Sequence, residues 1–254
     1  YEIPKRDWSS DVCSSDLIAA GYARVAEAAL DVLAAATVAD HARQHGQVPG
    51  SELVILALGR LGGGALTHAS DLDLIYLFTG EMDAVSDGAK PLEATRYYNR
   101  LAQRVTAALS VPTAAGALYE IDTRLRPSGS KGLLAVTIDS FADYQRTSAW
   151  TWEHMALTRA RPVFGSPHAR AQAQAVIDEV LHRPRDAAAL LKDVVSMRSD
   201  MARHKPPAGL LDAKLSPGGL VDLEFCVHAT QLEHHKGLNP RLGPAIAEIG
   251  RAHV

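Results

Sequence analysis

The 254-residue sequence contains only two cysteines, no long apolar run and no marked excess of either charge. Two cysteines cannot build a disulfide framework, so we expect a reducing, cytoplasmic compartment. A helix that crosses a bilayer needs about 18 to 20 apolar residues in succession, and no segment approaches that length. The net charge of -3 argues against a surface built for non-specific nucleic-acid binding.

Two glycine motifs of nucleotide-binding proteins are also absent. The sequence has neither G-x-G-x-x-G nor G-x-x-x-x-G-K-[ST], so dinucleotide-binding and P-loop folds are poorly supported. The residues that are present, 47% hydrophobic and 22% charged, are typical of a soluble globular protein with one large or two small domains.

Both ends of the chain resemble translated sequencing adapter. Residues 7–17 (DWSSDVCSSDL) have no helix or strand period and back-translate into a common short-read adapter, and residues 248–254 fit its reverse complement. Because two ends related in this way rarely arise by chance, we expect 1–17 and 248–254 to be foreign. Residues 18–247 are then expected to be a fragment of a longer protein.

Hydrophobic periodicity predicts an α+β fold, in which a small mixed sheet with helices is followed by an all-helical domain. We expect a lead helix in 18–50, the sheet-containing domain in 51–165 and a truncated helical domain in 166–247. Apolar runs and alternation predict strands at 53–58, 71–78, 118–126 and 133–136. Helical spacing predicts one long helix or a helix pair at 18–45, and helices at 92–109, 139–144, 150–161, 168–182, 186–204 and 219–236.

Three expectations concern single positions in these helices. Asp139 is expected to cap the helix that it opens. Trp150 and Trp152 are expected to anchor helix packing rather than to stack on a base. Glu153 and His154 are expected on a solvated helix face.

The chemistry-bearing stretch is a glycine turn at 59–64 followed by SDLD at 70–73, where a strand begins. Residues two apart on a strand face the same side, so Asp71 and Asp73 should present two carboxylates together. Paired carboxylates are unfavourable unless cations neutralise them, and Mg²⁺ prefers oxygen ligands. Asp122, on a neighbouring strand, would complete such a site. The alternative is that Asp71 and Asp73 only lie at a solvated strand end. The upstream glycines and Asp122 disfavour that alternative.

Residues around these acids could bind phosphate. Gly62 and Gly63 would let backbone N–H groups approach a phosphate closely. Arg124 and Arg126 are predicted to share the strand face of Asp122, where they could neutralise phosphate oxygens or pair with surface acids.

Together these motifs resemble the nucleotidyltransferase signature and, more narrowly, the family of the bifunctional glutamine synthetase adenylyltransferase/adenylyl-removing enzyme. The resemblance rests on GRLGG (59–63), SDLDL (70–74), YEIDTRLRPSG (119–129), FADYQRTSAWTWEHMALTRAR (141–161) and GGLVDLEF (218–225). It covers nearly all of residues 30–236. Ala65 departs from the family pattern, which often has Glu at this position.

The resemblance implies Mg²⁺ chemistry with ATP as co-substrate. The implied catalytic and metal-binding residues are Asp71, Asp73 and Asp122. The implied nucleotide contacts are Gly62, Gly63, Ser70, Arg124 and Arg126. It also implies glutamine synthetase as the protein substrate, the PII signalling protein as a regulator of the full-length enzyme, and neither nucleic acid nor membrane as a partner.

The two halves of that enzyme have opposite activities, since the N-terminal half removes AMP by phosphorolysis and the C-terminal half attaches it. AWTWEH (149–154) and RPSG (126–129) resemble the attaching half, whereas the removing half more often has RPFG and RDWER. We therefore predict transfer of AMP from ATP to a tyrosine hydroxyl of glutamine synthetase. The alternatives are the removing half and a catalytically silent module that binds PII or glutamine. The clustered carboxylates argue against the catalytically silent module, because such a module gains nothing from them.

Overall fold

A computed structural model describes residues 8–114, 116–209 and 211–251. The elements follow in the order α1 (Trp8–His45), β1 (Leu53–Ala57), α2 (Gly59–Gly62), β2 (Leu72–Phe78), α3 (Ala94–Leu109), β3 (Pro112–Thr113), β4 (Gly116–Ala117), β5 (Ile121–Asp122), a 3₁₀ turn (Gly129–Lys131), β6 (Ala135–Thr137), α4 (Ile138–Thr147), α5 (Thr151–Leu157), β7 (Arg161–Phe164), α6 (Pro167–Leu181), α7 (Ala187–His204), α8 (Leu220–His234) and α9 (Leu242–Arg251). None of the helices in these three ranges combines the length and apolar character that a bilayer crossing demands.

The main sheet has the strand order β5–β2–β1–β7, and β6 also pairs with β2. β1 is antiparallel to both of its neighbours, whereas β5 and β6 run parallel to β2. β5 lies beside the beginning of β2, where Leu72 pairs with Ile121, and β6 lies beside its end, where Phe78 pairs with Thr137. The predicted small mixed sheet is confirmed, and β5 borders the residues at which β2 begins.

Helices cover both faces of the sheet, which explains why β1 is a continuous apolar run rather than an alternating one. Leu53 and Ile55 enter a buried cluster with α1 and α3, whereas Val54 and Leu56 enter a second cluster with helices from α4 to α8. Full burial of each such side chain contributes about 1.5 to 3 kcal/mol. The later helices therefore share a core with the sheet and are fixed relative to it.

Several predicted helices are confirmed to within about two residues. The predictions at 168–182, 186–204 and 219–236 correspond to α6, α7 and α8. The lead segment 18–45 lies in the single helix α1, which ends at His45 as predicted but already begins at Trp8, within the stretch for which no helical period was expected. Side-chain N-caps explain where two of these helices begin. Ser166 and Asp186 accept backbone N–H bonds at the beginnings of α6 and α7, as good N-cap residues do.

The strand predicted at 118–126 is wrong outside Ile121–Asp122. After Asp122 the backbone turns, and the guanidinium of Arg126 folds back to donate to the carbonyl oxygens of Thr123 (2.8 Å) and Gly132 (3.3 Å). Arg124 and Arg126 therefore do not share a strand face with Asp122. Arg126 instead closes the loop that follows β5.

The helix predicted at 150–161 is also too long. It ends as α5 at Leu157, where the Thr158 hydroxyl donates to the carbonyl of Met155 (2.7 Å). Residues Arg161–Phe164 leave the helix because they pair with β1 as the edge strand β7.

The helix caps and exposures correct the three single-position predictions. Thr137, not Asp139, caps α4, because its hydroxyl accepts the N–H of Ser140 (3.0 Å). Trp150 and Trp152 are 71% and 41% exposed, so they do not anchor helix packing.

Glu153 and His154 are buried rather than solvated. The Glu153 carboxylate accepts the N–H of Trp150 (2.9 Å) and the hydroxyl of Tyr144 (2.9 Å), so it closes the first turn of α5. His154 lies within 3.0 Å of the carbonyl oxygen of Gln145. Both side chains are used in joining α4 to α5.

Candidate active site

Three aspartates converge where β2 begins. Asp73 lies directly opposite Asp122 in the parallel pairing of β2 with β5, and Asp71 immediately precedes β2. One carboxylate oxygen from each residue lies within 4.8 Å of the other two. Leu72 and Leu74 are fully buried, so the period of two along the strand turns Asp71 and Asp73 together toward the opposite side. The structure thus brings together the three acids that the spacing predicts.

The carboxyl group of Asp73 is strongly perturbed by its surroundings. Burial, followed by repulsion from Asp71 and Asp122, raises its pKa from 3.8 to about 6, and Arg159 and Arg124 offset only part of this rise. The pKa of Asp122 is lowered, chiefly because Arg124 Nε donates to both of its carboxylate oxygens (3.0 and 2.9 Å). The neighbouring arginines therefore compensate the burial and repulsion at Asp73 only in part.

This donor set fits Mg²⁺. Carboxylate oxygens are the ligands that this hard cation prefers, and a cluster this compact can hold one ion or bridge two. A divalent cation would also relieve the repulsion that raises the pKa of Asp73. Asp71, Asp73 and Asp122 are the residues that would hold it.

Gly59 sets the distance between the glycine turn and Asp73. Its φ of +54° is in the left-handed region, which glycine adopts without steric penalty. A Cβ at this position would lie 2.0 Å from Asp73 Oδ2, so any side chain would push the carboxylate away. The resemblance includes Gly59 in GRLGG, but the sequence alone gave no reason to connect it with Asp73.

Replacing Gly59 with alanine is expected to weaken binding of Mn²⁺, a probe for Mg²⁺, by about tenfold or more, in the range seen when a group that orients a metal ligand is lost. Electron paramagnetic resonance of free Mn²⁺ would measure the change. Gly64→Ala is the matched control, because φ is +65° there too but the nearest atom to a new Cβ is Arg241 Nε at 3.5 Å. Equal losses in both variants would mean that backbone strain, not displacement of Asp73, is responsible.

Gly62 and Gly63 are close-packed rather than open. Their N–H groups donate to Leu58 (2.8 Å) and Gly59 (3.1 Å) within the turn. A Cβ on Gly62 would lie 1.9 Å from the carbonyl oxygen of Arg159. Their backbone donors are thus already used, and packing accounts for glycine here. A nucleotide contact at these two positions stays a prediction.

The other three predicted nucleotide contacts are Ser70, Arg124 and Arg126, and the structure gives them different surroundings. Ser70 lies in the turn before β2, where its hydroxyl accepts the N–H of Thr67 (3.0 Å). Arg124 lies at the cluster and pairs with Asp122, and its side chain is 79% exposed. Arg126 is engaged in the loop after β5. Of the two arginines, only Arg124 is hydrogen-bonded to an acid of the cluster, and Arg126 acts on the charge of Asp122 without a hydrogen bond to it.

Arg159, which sequence reasoning did not single out, borders the site from behind the glycine turn. Its Nη1 donates to Glu224 of α8 (3.0 Å), and the neighbouring Thr158 hydroxyl lies 2.7 Å from His228 Nδ1, also on α8. The only signal was its place in TRAR within the resemblance. Its contacts depend on tertiary packing that periodicity does not encode.

The chain is similar to known proteins of one family over most of its length. The family model for glutamate-ammonia ligase adenylyltransferase matches residues 10–176. The chain is similar to several proteins named bifunctional glutamine synthetase adenylyltransferase/adenylyl-removing enzyme. It is 50% identical over 207 residues to that of Brucella melitensis, covering 81% of this chain and 21% of the relative.

Two further relatives carry the same name. The protein of Rhizobium meliloti is 52% identical over 182 residues, covering 71% of this chain and 18% of the relative. That of Agrobacterium fabrum is 44% identical over 237 residues, covering 93% and 24%. The chain thus spans between about a sixth and a quarter of the length of these relatives.

Proposed function

Because the chain belongs to the glutamate-ammonia ligase adenylyltransferase family, we propose that it transfers AMP from ATP to a tyrosine hydroxyl of glutamine synthetase. The tyrosine oxygen forms a bond to the α-phosphorus, the bond from that phosphorus to the bridging oxygen breaks, and pyrophosphate leaves. The phenol proton is lost to solvent. This is the reaction of the attaching half, which AWTWEH (149–154) and RPSG (126–129) favour.

The observation that carries the proposal is the compact cluster of Asp71, Asp73 and Asp122. Nucleotidyl transfer requires charge neutralisation on a triphosphate, and positioning with electrostatic stabilisation supplies most of the catalysis. When bound, Mg²⁺ would neutralise triphosphate charge and favour the phenolate form of the attacking tyrosine. The three carboxylates would fix the cation at the beginning of β2.

The resemblance implies that Asp122 helps to deprotonate the attacking tyrosine, but the electrostatics of its carboxyl group favour a different role. Since Arg124 lowers its pKa, its carboxylate is a weak proton acceptor near neutral pH. It is better suited to hold a cation and to accept a hydrogen bond from the tyrosine hydroxyl. Arg124, which is largely exposed, could exchange its contact with Asp122 for a phosphate oxygen.

The partners and compartment belong to the same proposal. The relatives' names include glutamine synthetase, which supports it as the protein substrate here. Regulation by a PII protein rests on the resemblance alone, and a cytoplasmic location rests on the low cysteine content. All three concern the longer protein, of which this chain covers a minor part.

A labelling assay tests the proposal. The chain is incubated with α-labelled ATP, Mg²⁺ and unmodified glutamine synthetase, and a parallel reaction contains EDTA. We expect label on glutamine synthetase only when Mg²⁺ is available. Phosphate-dependent release of labelled ADP from pre-labelled synthetase, without transfer, would instead assign the chain to the removing half. If neither transfer nor release is observed, the regulatory module is the remaining alternative.

A further inference from the structure

The helix α1 is apolar on two opposite faces. Its inner face, which includes Leu30 and Ala34, is buried in the cluster that it shares with α3. Its outer face carries Ile18, Val25 and Val32, which are 59%, 62% and 65% exposed. A helix that is apolar all round is normally enclosed by protein, and a contiguous exposed apolar patch marks an interaction surface. The outer face of α1 is therefore suited to bind a partner.

The outer face repeats every seven residues, with large β-branched residues alternating with small ones. We call these residues the outer seam, and they are Ile18, Gly21, Val25, Ala28, Val32 and Ala35. Spacings that alternate between three and four residues are typical of a line along which a second helix packs. With 3.6 residues per turn, the outer seam lies on the side of α1 opposite the buried Leu30. A second helix could therefore pack there without displacing the sheet.

A second copy of the chain complements the outer seam in size when the two helices run antiparallel. The facing pairs are then Ile18 with Ala35, Gly21 with Val32, and Val25 with Ala28. Gly21 leaves an open apolar groove between Ile18 and Val25, which the larger Val32 of the second copy would fill. Each layer joins one large and one small side chain, as close packing requires. In a parallel pair each residue would face its own copy, so layers of two small residues would leave gaps.

The antiparallel arrangement also pairs the charges beside the outer seam. Arg24 and Asp31 lie seven residues apart on one flank of it, and both are exposed. Within the described part of the chain, neither side chain has a hydrogen-bond or ion-pair partner. In the antiparallel pair, Arg24 of each copy lies beside Asp31 of the other, whereas a parallel pair would place them beside Ala29 and Ala36. Because flanking charges set the partner and orientation of paired helices, they favour an antiparallel second copy.

We propose that two copies of the chain associate through their outer seams as an antiparallel helix pair, with a twofold axis between the levels of Val25 and Ala28. Such an interface is isologous, because every contact between the copies occurs twice. The association is independent of the proposed nucleotidyl transfer, since no residue of the acid cluster takes part in it.

Sedimentation velocity of the whole chain between about 1 and 200 µM measures the association. We expect the mass to approach twice that of one chain as the concentration rises. Ala28→Glu places a carboxylate at the centre of the outer seam in both copies, so it should raise the dissociation constant at least about tenfold. Its melting temperature at the lowest concentration should change by less than about 2 °C, because Ala28 is exposed. Gln44→Glu is the matched control, since it adds the same charge at an exposed position of α1 beyond the outer seam, and it should leave the association unchanged.

Charge reversal tests the antiparallel arrangement itself. Arg24→Glu and Asp31→Arg should each raise the dissociation constant several-fold at low salt, because each places like charges side by side at two points of the interface. The double variant exchanges the two charges, so it should recover most of the wild-type affinity. That recovery requires Arg24 of one copy to lie beside Asp31 of the other, which a parallel pair does not provide.

Three results would overturn the inference. A wild-type chain that sediments as a monomer at every concentration would leave the outer seam to a different partner. Association that Ala28→Glu does not weaken would place the interface elsewhere, and failure of the double variant to recover affinity would exclude the antiparallel pairing. Because sedimentation requires neither ATP nor glutamine synthetase, its outcome is separate from that of the labelling assay. Association without transfer or release would refute the proposed function alone.

Discussion

Replacing Asp73 with asparagine is expected to reduce AMP transfer by about a thousandfold or more while making the protein more stable at pH 8. Cation coordination at a reacting phosphate contributes several kcal/mol, and each 1.36 kcal/mol is a factor of ten in rate. Asparagine keeps the shape of the side chain but removes the charge that a cation requires. The same change removes repulsion from Asp71 and Asp122.

The stability gain has a defined pH dependence. The folded-state pKa of Asp73 is raised from 3.8 to about 6, so its ionised form opposes folding. This penalty is absent below about pH 4, develops between pH 4 and 6, and is complete above pH 6. We therefore expect Asp73→Asn to gain about 1 to 3 kcal/mol at pH 8 and almost nothing at pH 4. Urea unfolding at both pH values, without divalent cations, would measure it.

Two additions make this prediction specific. Mg²⁺ should stabilise the wild-type chain but not Asp73→Asn, because only a ligand that binds the folded state adds stability. Asp143→Asn removes an exposed carboxylate that pairs with Arg146 on α4, and it should retain transfer within about twofold. Normal transfer by Asp73→Asn would refute the assigned site. A loss of stability at pH 8 would refute the claim that ionised Asp73 opposes folding.

The acid pair at Asp71 and Asp73 could be predicted from the sequence because the rule that places it is local. A period of two along a strand fixes which side chains share a side, and the alternating leucines fix which side is buried. The sequence also identifies Asp122 as the third acid, although β5 is so short that only Ile121 and Asp122 itself pair with β2. Alternation in 118–126 cannot distinguish a strand from a turn that Arg126 closes through backbone carbonyls.

The contacts of Gly59 and Arg159 could not be predicted in this way. Glycine near a strand end indicates a turn, but it does not say which side chain would occupy the space of a missing Cβ. Arg159 meets Gly63 and Glu224 only because α5 and α8 pack on the same face of the sheet. Such long-range juxtapositions have no local period, so they appear only with the tertiary structure.

Gly62 provides the second large expected effect, and it concerns stability. A Cβ at this buried position would lie 1.9 Å from the carbonyl oxygen of Arg159 and 2.7 Å from that of Ala57. Both are backbone atoms at the ends of packed elements, so neither can rotate away. We expect Gly62→Ala to destabilise the fold by about 2 to 4 kcal/mol, the upper range for overpacking, although alanine gains up to about 1 kcal/mol in helix propensity.

The melting temperature of Gly62→Ala should fall by about 5 to 15 °C, since 1 kcal/mol corresponds to about 2 to 4 °C in a chain of this size. Gly21→Ala is the control, because Gly21 lies in α1 with no atom within 4 Å of a new Cβ, and it should raise stability by up to about 1 kcal/mol. A drop of less than about 1 °C in Gly62→Ala would mean that the turn and Arg159 can separate freely. The close approach that places Arg159 beside Gly63 would then not be fixed by packing.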